Sequence, residues 1–574
     1  MSFSVTILAN KSNPFGIAKD VNVLRSILAG TPAQVRHVDP LEAPSYSDIN
    51  IHLEIPAYGW MPWGAKNIFV VNPEWYIETA WNPYMSKMDL IVVKDSLTYD
   101  YFLGLFGSEK VRYIPWATRT SATTTMTATA NAFLWVLGAS TSKRAYVPTL
   151  LKAWKPEYPD LLITTTTKFL AADLSGIEVP ANITFRIEDL EADERARLGQ
   201  EYKGHICCSR AEGFGYTAAE AEAAGAFTIL NELPCYKNDY RDVFFVPSKL
   251  ENKYYDSGAD TKAIQDALEA AFTDFAKWDS KDRARRQASA SSRWQKFSVA
   301  WSELFKAYSG IKRPASLKHL PPILFQDSAP PISVVTLIYN RKKFFDLACH
   351  SLMITDYPKD KIEWILVDDS DDPMEQNSDK IVQVADAAAP LKMVYVPLKK
   401  KTSVSEKRNI GCEKATSDII LMMDDDDHYP ETSLRRRVAW LTKHPWAPKA
   451  VAATTIACYD LLKGVSAVNT PPMGLPLSQR ISEATLTFYK SWWAERKFSA
   501  GILVGEGEEF IFGRETDVLE IPPQQIIVAF SHGKNVSSRR IPSGDDLKAG
   551  CFWGFPKEFL LFIHGLAGVN VVDG

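Results

Sequence analysis

The sequence has no CxxC pair, no window of 18 consecutive apolar residues, no short internal repeat and no large excess of either charge. The seven cysteines are odd in number and scattered, with Cys207 and Cys208 adjacent inside an apolar run. They read as reduced, structural thiols of a cytosolic protein rather than a disulfide framework. Without an 18-residue apolar window no membrane-spanning helix is expected, and "FLLFIHGLAGVNVV" near the end reads as core. The start, "MSFSVTILANKSNPFG", lacks both a basic leader and a long apolar stretch, so no signal peptide is expected and the location is expected to be cytoplasmic. A formal net charge of -4 supplies no global field toward nucleic acid or an anionic membrane. The local runs Lys399 to Lys401 and Arg435 to Arg437 read as solvated faces.

What is present is ordinary globular composition, 46% hydrophobic with 16 Trp, over 574 residues, which predicts three or four domains. The expected fold class is α/β. "SFSVTILAN", "INIHLEI", "NIFVVN", "LIVVK" and "VRYIPW" are short β-branched runs separated by helical stretches, the pattern of a parallel sheet covered on both faces. The pattern restarts near residue 132 with "AFLWVLGAS", "DLLITTT", "ITFRI", "HICCS" and "AFTILN". Two tandem lobes, about 1–130 and 131–308, are therefore expected, closed by the charged helical stretch ending in "SELFKAY". A Pro-rich linker follows at 309–331, and a third α/β unit at 332–574.

In that third unit three strands end in polar tips: "ISVVTLIYNR" in Tyr339, Asn340 and Arg341, "IEWILVDDSDD" in Asp368 and Asp369, and "IILMMDDDD" in Asp424 to Asp427. Open α/β sheets bind ligands beyond the carboxyl ends of their strands, so the tips should converge on one crevice. Two like charges about 4 Å apart repel by roughly 1 kcal/mol in water and about 4 at a protein surface. A divalent cation is the simplest offset. In an extended segment Asp424 and Asp426 share one face, and Asp425 and Asp427 the other. Carboxylate oxygens suit Mg²⁺ or Mn²⁺, which also takes a diphosphate and stabilises its departure.

The ordered set "YNR", "VDD", "RNIG" and "DDDD" resembles a GT-A glycosyltransferase of the family 2 type over roughly residues 330–540. The resemblance implies that Thr336, Tyr339, Asp368, Asn409 and Asp424 bind the donor nucleotide, and that Asp424 and Asp426 bind the metal. It also implies an inverting reaction with a general base in "VGEGEEFIFGR", Glu506 first and Glu508 second, and His532 as an added metal ligand.

In the first half, "CSRAEGFGYTAAEAEAAGAFTI" turns through Gly213 and Gly215 into an Ala-rich helix whose N-terminus suits an anion. Glu212 and Glu220 lie eight positions apart and can accept hydrogen bonds from sugar hydroxyls. This resembles the EGFG signature of retaining GT-B glycosyltransferases of the family 4 kind, across residues 1 to about 308. By that resemblance Gly16 opens the glycine loop, Lys143 meets the diphosphate, and Glu212 and Glu220 bind donor. Where the family has an Arg, this sequence has Ala139. His52 and Glu74 are further candidates for the cleft.

The resulting expectation is a nucleotide-sugar-dependent glycosyltransferase with two active modules that add successive sugars to a glycan, using a UDP-, GDP- or TDP-linked donor and Mn²⁺ or Mg²⁺. Alternatives are one active GT-A transferase with a degenerate GT-B binding module, or a transferase acting on hydroxylated DNA bases, which would need a basic, aromatic groove. A purely structural role would leave the four aspartates without an offset.

Overall fold

The computed structural model describes residues 2–13, 16–119, 128–138, 140–166, 174, 176–251, 255–311, 320–532, 535, 551 and 553–569. The chain divides into two compact units, Met1–Tyr76 with Lys87–Lys312, and Ile77–Ser86 with Arg313–Gly574. None of the seven cysteines forms a disulfide among the described residues.

The first unit contains two six-stranded sheets. One is built from β1 (Phe3–Leu8), β2 (Ala33–Val38), β3 (Ser47–Leu53), β4 (Gly64–Val70), β5 (Leu90–Val93) and β6 (Val111–Tyr113), in the order β2-β1-β3-β4-β5-β6. The other comprises β7 (Ala130–Val136), β8 (Leu161–Thr165), β9 (Ile183–Ile187), β10 (Tyr202–Ile206), β11 (Phe227–Asn231) and β12 (Phe244–Val246), in the order β12-β11-β10-β7-β8-β9. Every pairing in both sheets is parallel. Parallel strands need crossover segments that cover both faces, which is why runs such as "LIVV" are buried at every position. The 29-residue helix Ser280–Tyr308 closes the unit. Near its start Arg286 donates to the Arg241 carbonyl (2.7 Å) and to Thr228 Oγ1 (3.1 Å), beside the second sheet. Near its end Phe297, Trp301, Leu304 and Phe305 join the core under the first sheet.

The second unit is organised around β13 (Ile332–Ile338), β14 (Ile362–Asp368), β15 (Lys392–Pro397) and β16 (Ile419–Met422), followed by β17 (Ala450–Ala452), β18 (Ile456–Asp460), β19 (Val465–Asn469), β20 (Thr487–Tyr489), β21 (Val518–Glu520) and β22 (Val528–Ser531). Its main sheet runs β15-β14-β13-β16-β20-β17-β21, with β20 antiparallel to β16 and to β17. A small sheet, β19-β18-β22, stands beside it. The order reverses at β13, whose neighbours β14 and β16 lie on opposite sides. The ends of β13 and β16 therefore face the crevice that a topological switch point creates. The helix Val404–Lys414 packs against this point, and its Gly411 allows the approach: a Cβ there would lie 2.4 Å from Val335 Cγ1.

Candidate active site

The apolar run of β16 stops at Met422, and the chain then turns through residues 425–427 instead of continuing as a strand. The expected alternation of Asp424 and Asp426 against Asp425 and Asp427 is thereby corrected, because a turn breaks the two-residue period. Carboxylate oxygens of Asp424, Asp426 and Asp427 all lie within 4.8 Å of one another. Asp427 Oδ1 accepts the Phe530 backbone N–H at 2.9 Å, which fixes the turn to β22. Immediately after β22, His532 Nε2 comes within 3.0 Å of Asp426 Oδ2, its ring held 4.3 Å from that of Phe344. Asp425 is 1% exposed, with no hydrogen-bond partner for either carboxylate oxygen among the described residues. Burial pushes its carboxyl up to about 7 against the opposing charge of Arg341, with Asp426 and Asp424 adding to the rise.

Four protein cations meet the polar tips: Arg341 belongs to a tip expected to face the crevice, Lys401 to a run expected to be a solvated face, and Lys407 and Arg408 carry no expectation from the sequence. Arg341, just past β13, contacts Asp426 Oδ2 through Nη1 and lies 3.4 Å from Asp425 Oδ1 through Nη2. Lys407 Nζ sits 2.5 Å from Asp369 Oδ1 and donates to the Ile338 carbonyl at 3.1 Å. Arg408 is buried between two carboxylates, with Nε 2.6 Å from Glu506 Oε1 and Nη2 3.8 Å from Asp424 Oδ1. Lys401 Nζ lies 4.0 Å from the centroid of the Tyr339 ring. Lys407 and Arg408 belong to the helix Val404–Lys414, opened by a capping box between Ser403 and Glu406. A signal for them was the "KR" directly before "NIG", two basic residues on a helix leading into a self-repelling tip. Glu483, also unassigned, has its carboxyl pushed up to about 7 by burial and then by the charges of Glu506 and Asp424, with Arg408 opposing.

The remaining predicted residues separate into those near the cluster and those committed elsewhere. Tyr339 is partly exposed and donates its hydroxyl to Asp371 Oδ2 at 3.1 Å. Asp368 is buried at the end of β14, accepting from the Ser370 N–H (2.9 Å) and the Tyr395 hydroxyl (3.0 Å). Thr336 is a correction. It is 0% exposed and its Oγ1 accepts the Trp364 indole N–H at 2.9 Å, so it is a core residue. Asn409 is another: its Oδ1 accepts from Trp493 Nε1 and the Phe498 N–H, both at 3.0 Å, and its Nδ2 donates to the Phe498 carbonyl at 2.8 Å. Its amide pins the 493–498 segment rather than a ligand. Of the two candidate bases, Glu506 is buried at the start of the helix Glu506–Ile511, while Glu508 is exposed and accepts from Gln479 Nε2 at 2.7 Å. Glu508 is thus turned to solvent. The arginine run 435–437 is not a solvated face: Arg435 pairs with Asp356 at 2.5 Å, and Arg437 is fully buried.

A second polar cluster lies in the first unit, where each signature glutamate meets a lysine. Glu212 Oε1 is 3.3 Å from Lys143 Nζ, and Glu220, on the helix Tyr216–Ala224, contacts Lys19. A Cβ at Gly213 would stand 2.7 Å from both carboxylate oxygens of Glu74, so a side chain there would have to shift that carboxylate. Burial pushes the Glu74 carboxyl up to about 8, against a bond from its own backbone N–H and the charge of Lys94, with Glu212 and Glu54 adding to the rise. Its Oε2 has no hydrogen-bond partner among the described residues. Lys94 Nζ bridges Asn72 Oδ1 (2.7 Å) and Asp20 Oδ2 (2.8 Å), and Asp20 Oδ1 accepts the Tyr216 hydroxyl at 2.6 Å. Gly16 is exposed at the start of the helix Gly16–Leu28, with open space where a Cβ would be. His52 is corrected to a core residue: Nε2 meets Asn67 Oδ1 at 3.1 Å and Nδ1 accepts the Ala57 N–H at 3.1 Å. Ala139 lies outside the described residues.

No helix among the described residues is long and apolar enough to cross a membrane. A comparison with curated protein sequences gives no match. Solved structures give partial, low-identity matches. TarS of S. aureus is 17% identical over 35% of this chain and 37% of its own, with a TM-score of 0.26. The mannosyltransferase PcManGT of Pyrobaculum calidifontis, in complex with GDP-Man and Mn²⁺, is 14% identical over 40% of this chain and 63% of its own, at 0.29. Sucrose-phosphate synthase of Thermosynechococcus elongatus is 13% identical over 53% of this chain and 98% of its own, at 0.40. The chain thus spans less than two thirds of the length of TarS and of PcManGT. Residues 333–459, which hold β13, β14, β16 and the acidic turn, match the family model described as glycosyl transferase family 2. The second unit thus carries a segment, residues 333–459, that is similar to glycosyl transferase family 2.

Proposed function

We propose that the second unit transfers a sugar from a nucleoside diphosphate to an acceptor hydroxyl, with inversion and with the help of Mn²⁺ or Mg²⁺. The observation that carries this reading is the Arg408 bridge. One buried guanidinium holds Glu506 on one side and Asp424 on the other, so a carboxylate base is tied to the metal-binding turn. The donor set fits a hard divalent cation: three carboxylates with oxygens within 4.8 Å, and the imidazole of His532 against one of them. Asp424, Asp426 and His532 would hold the ion, with Asp427 beside them. When bound, it supplies charge neutralisation for the departing diphosphate.

The protein groups do the rest. Tyr339, with Lys401 over its ring, offers a flat face for a nucleobase, and Asp368 offers an acceptor for the nucleoside. Glu506 takes the proton of the acceptor hydroxyl as that oxygen attacks the anomeric carbon and the bond to the diphosphate oxygen breaks. The donors to test are UDP-, GDP- and TDP-sugars. Glu506→Gln should lower transfer about 10²- to 10⁴-fold, with Mn²⁺ binding retained. Wild-type transfer in Glu506→Gln would reject Glu506 as the base, and full transfer in EDTA would reject the metal.

For the first unit the supporting observation is the pairing of Glu212 with Lys143 and of Glu220 with Lys19. We infer a retaining GT-B module there, in which a donor's diphosphate and hydroxyls exchange with these ion pairs. The two modules would then add successive sugars to one glycan. A glycan-binding module without activity is the alternative reading for this unit.

A further inference from the structure

One carboxylate oxygen of Asp426 is crowded. Asp426 Oδ2 receives Arg341 Nη1, His532 Nε2 at 3.0 Å and Asn535 Nδ2 at 3.4 Å. A carboxylate oxygen has about two lone-pair directions, so a metal ligated there must displace a donor. His532, held in place by the Phe344 ring and by burial, would exchange its bond to Asp426 for the ion without leaving the site. Asn535 is tied at both ends of its amide, Nδ2 donating to the Phe530 carbonyl at 2.9 Å and Oδ1 accepting the His532 N–H at 2.8 Å. Arg341 alone among the three has a long flexible stem, and its charge is the one a cation would oppose.

The neighbouring residue offers that guanidinium another seat. Asp425 is buried, neither of its oxygens has a hydrogen-bond partner among the described residues, and Oδ1 already lies 3.4 Å from Arg341 Nη2. A buried carboxylate without donors is under-satisfied and gains from a charge-assisted bond. The backbone beneath Arg341 need not move. Asn340 holds it with a left-handed φ of 47°, its N–H on Ser370 Oγ (2.9 Å) and its Nδ2 on Asp371 Oδ1 (2.6 Å). Asparagine tolerates that conformation, so the turn is set and only the side chain swings.

We propose that Arg341 is a resident counter-ion of the acidic turn, which occupies the cation's place on Asp426 in the metal-free protein and gives it up by moving onto Asp425. The inference rests on the metal reading given above and adds a positioning residue to it. Its consequence is competition: each metal ion that binds must first displace a guanidinium, and the displaced group remains beside the site as a positive charge.

The test is Mn²⁺ titration of the full-length chain, followed by the electron paramagnetic resonance of free Mn²⁺, on wild type, Arg341→Met, Asp425→Asn, the double variant and Asp426→Asn. Removing the competing charge should tighten Mn²⁺ binding about tenfold in Arg341→Met. Asp425→Asn should weaken binding in the wild-type background by several-fold more than in the Arg341→Met background, since only the former needs the second seat. Equal losses in the two backgrounds, or Arg341→Met binding no tighter than wild type, would overturn the proposal while Asp426→Asn still reports the metal site. Absence of Mn²⁺ binding in wild type and every variant would remove the metal reading and the inference together. A crystal structure with Mn²⁺ decides independently should Asp425→Asn fail to fold: Arg341 on Asp425 supports the exchange, and Arg341 still on Asp426 refutes it.

Discussion

A carboxyl that folds into a site with no donor for one of its oxygens keeps its proton to higher pH. Glu74 does so in the first unit, its carboxyl raised from 4.5 to about 8. Below 4.5 it is protonated in both the folded and the unfolded chain, and stability does not depend on it. Between 4.5 and about 8 the unfolded chain ionises while the folded one does not, so stability falls by about 1.4 kcal/mol per pH unit. Glu74→Gln lacks this term. Its stability relative to wild type should therefore grow from weakly acidic pH to about pH 8 by a few kcal/mol, read by urea unfolding. A constant difference across that window would mean that folded Glu74 is already ionised. Single residues were the scale at which the sequence was least legible. Thr336 and Asn409 occupy motif positions, yet a Trp364 indole and the Phe498 backbone take their polar atoms. Arg341 lies in a tip legible in sequence, but the Asp426 carboxylate it meets, like the Glu506 carboxylate that draws Arg408 inward, is brought near only by the folded chain.

At the scale of elements, the strand β13, the helix Val404–Lys414 and the strand β16 form one wedge whose fit depends on Gly411. Gly411→Ala would press a methyl group to 2.4 Å from Val335 Cγ1, and something must shift. Overpacking of this kind costs about 1–3 kcal/mol, and because Lys407 and Arg408 ride on the same helix, resistance to guanidinium-induced unfolding and Mn²⁺ binding should both weaken. Unchanged stability would show that the helix can retreat without cost. Elements were well read from sequence because burial writes itself into composition: "ISVVTLI", "IEWILVD" and "IILM" are continuous apolar runs, and the strands they form are buried almost throughout. What failed was the rule carried past the strand's end. Asp424 to Asp427 were read as extended, but once Phe530 and His532 offer partners the chain turns to meet them.

At the scale of the whole molecule, the described residues form two acidic clusters of different character, one in each unit. That of the second unit gathers three carboxylates within 4.8 Å, the set proposed above to hold a metal, and that of the first is already balanced by Lys143 and Lys19. Turnover of nucleotide sugar by the full chain should accordingly split in two. EDTA should remove the share that Asp426→Asn removes, and Glu212→Gln should remove the share that survives EDTA. If nothing survives EDTA, the first unit is no transferase. The alternation of short apolar runs with helices makes the α/β class legible in sequence, since a parallel sheet needs crossover helices. The helix Ser280–Tyr308 has a mechanical meaning of its own. Anchored to one sheet through Arg286 and sunk into the core of the other through Trp301 and Phe305, it is an axle shared by both lobes. Any relative motion of the two sheets must twist this rod or bend it, so a proline introduced at its midpoint would uncouple them while leaving the strand pairing within each sheet intact.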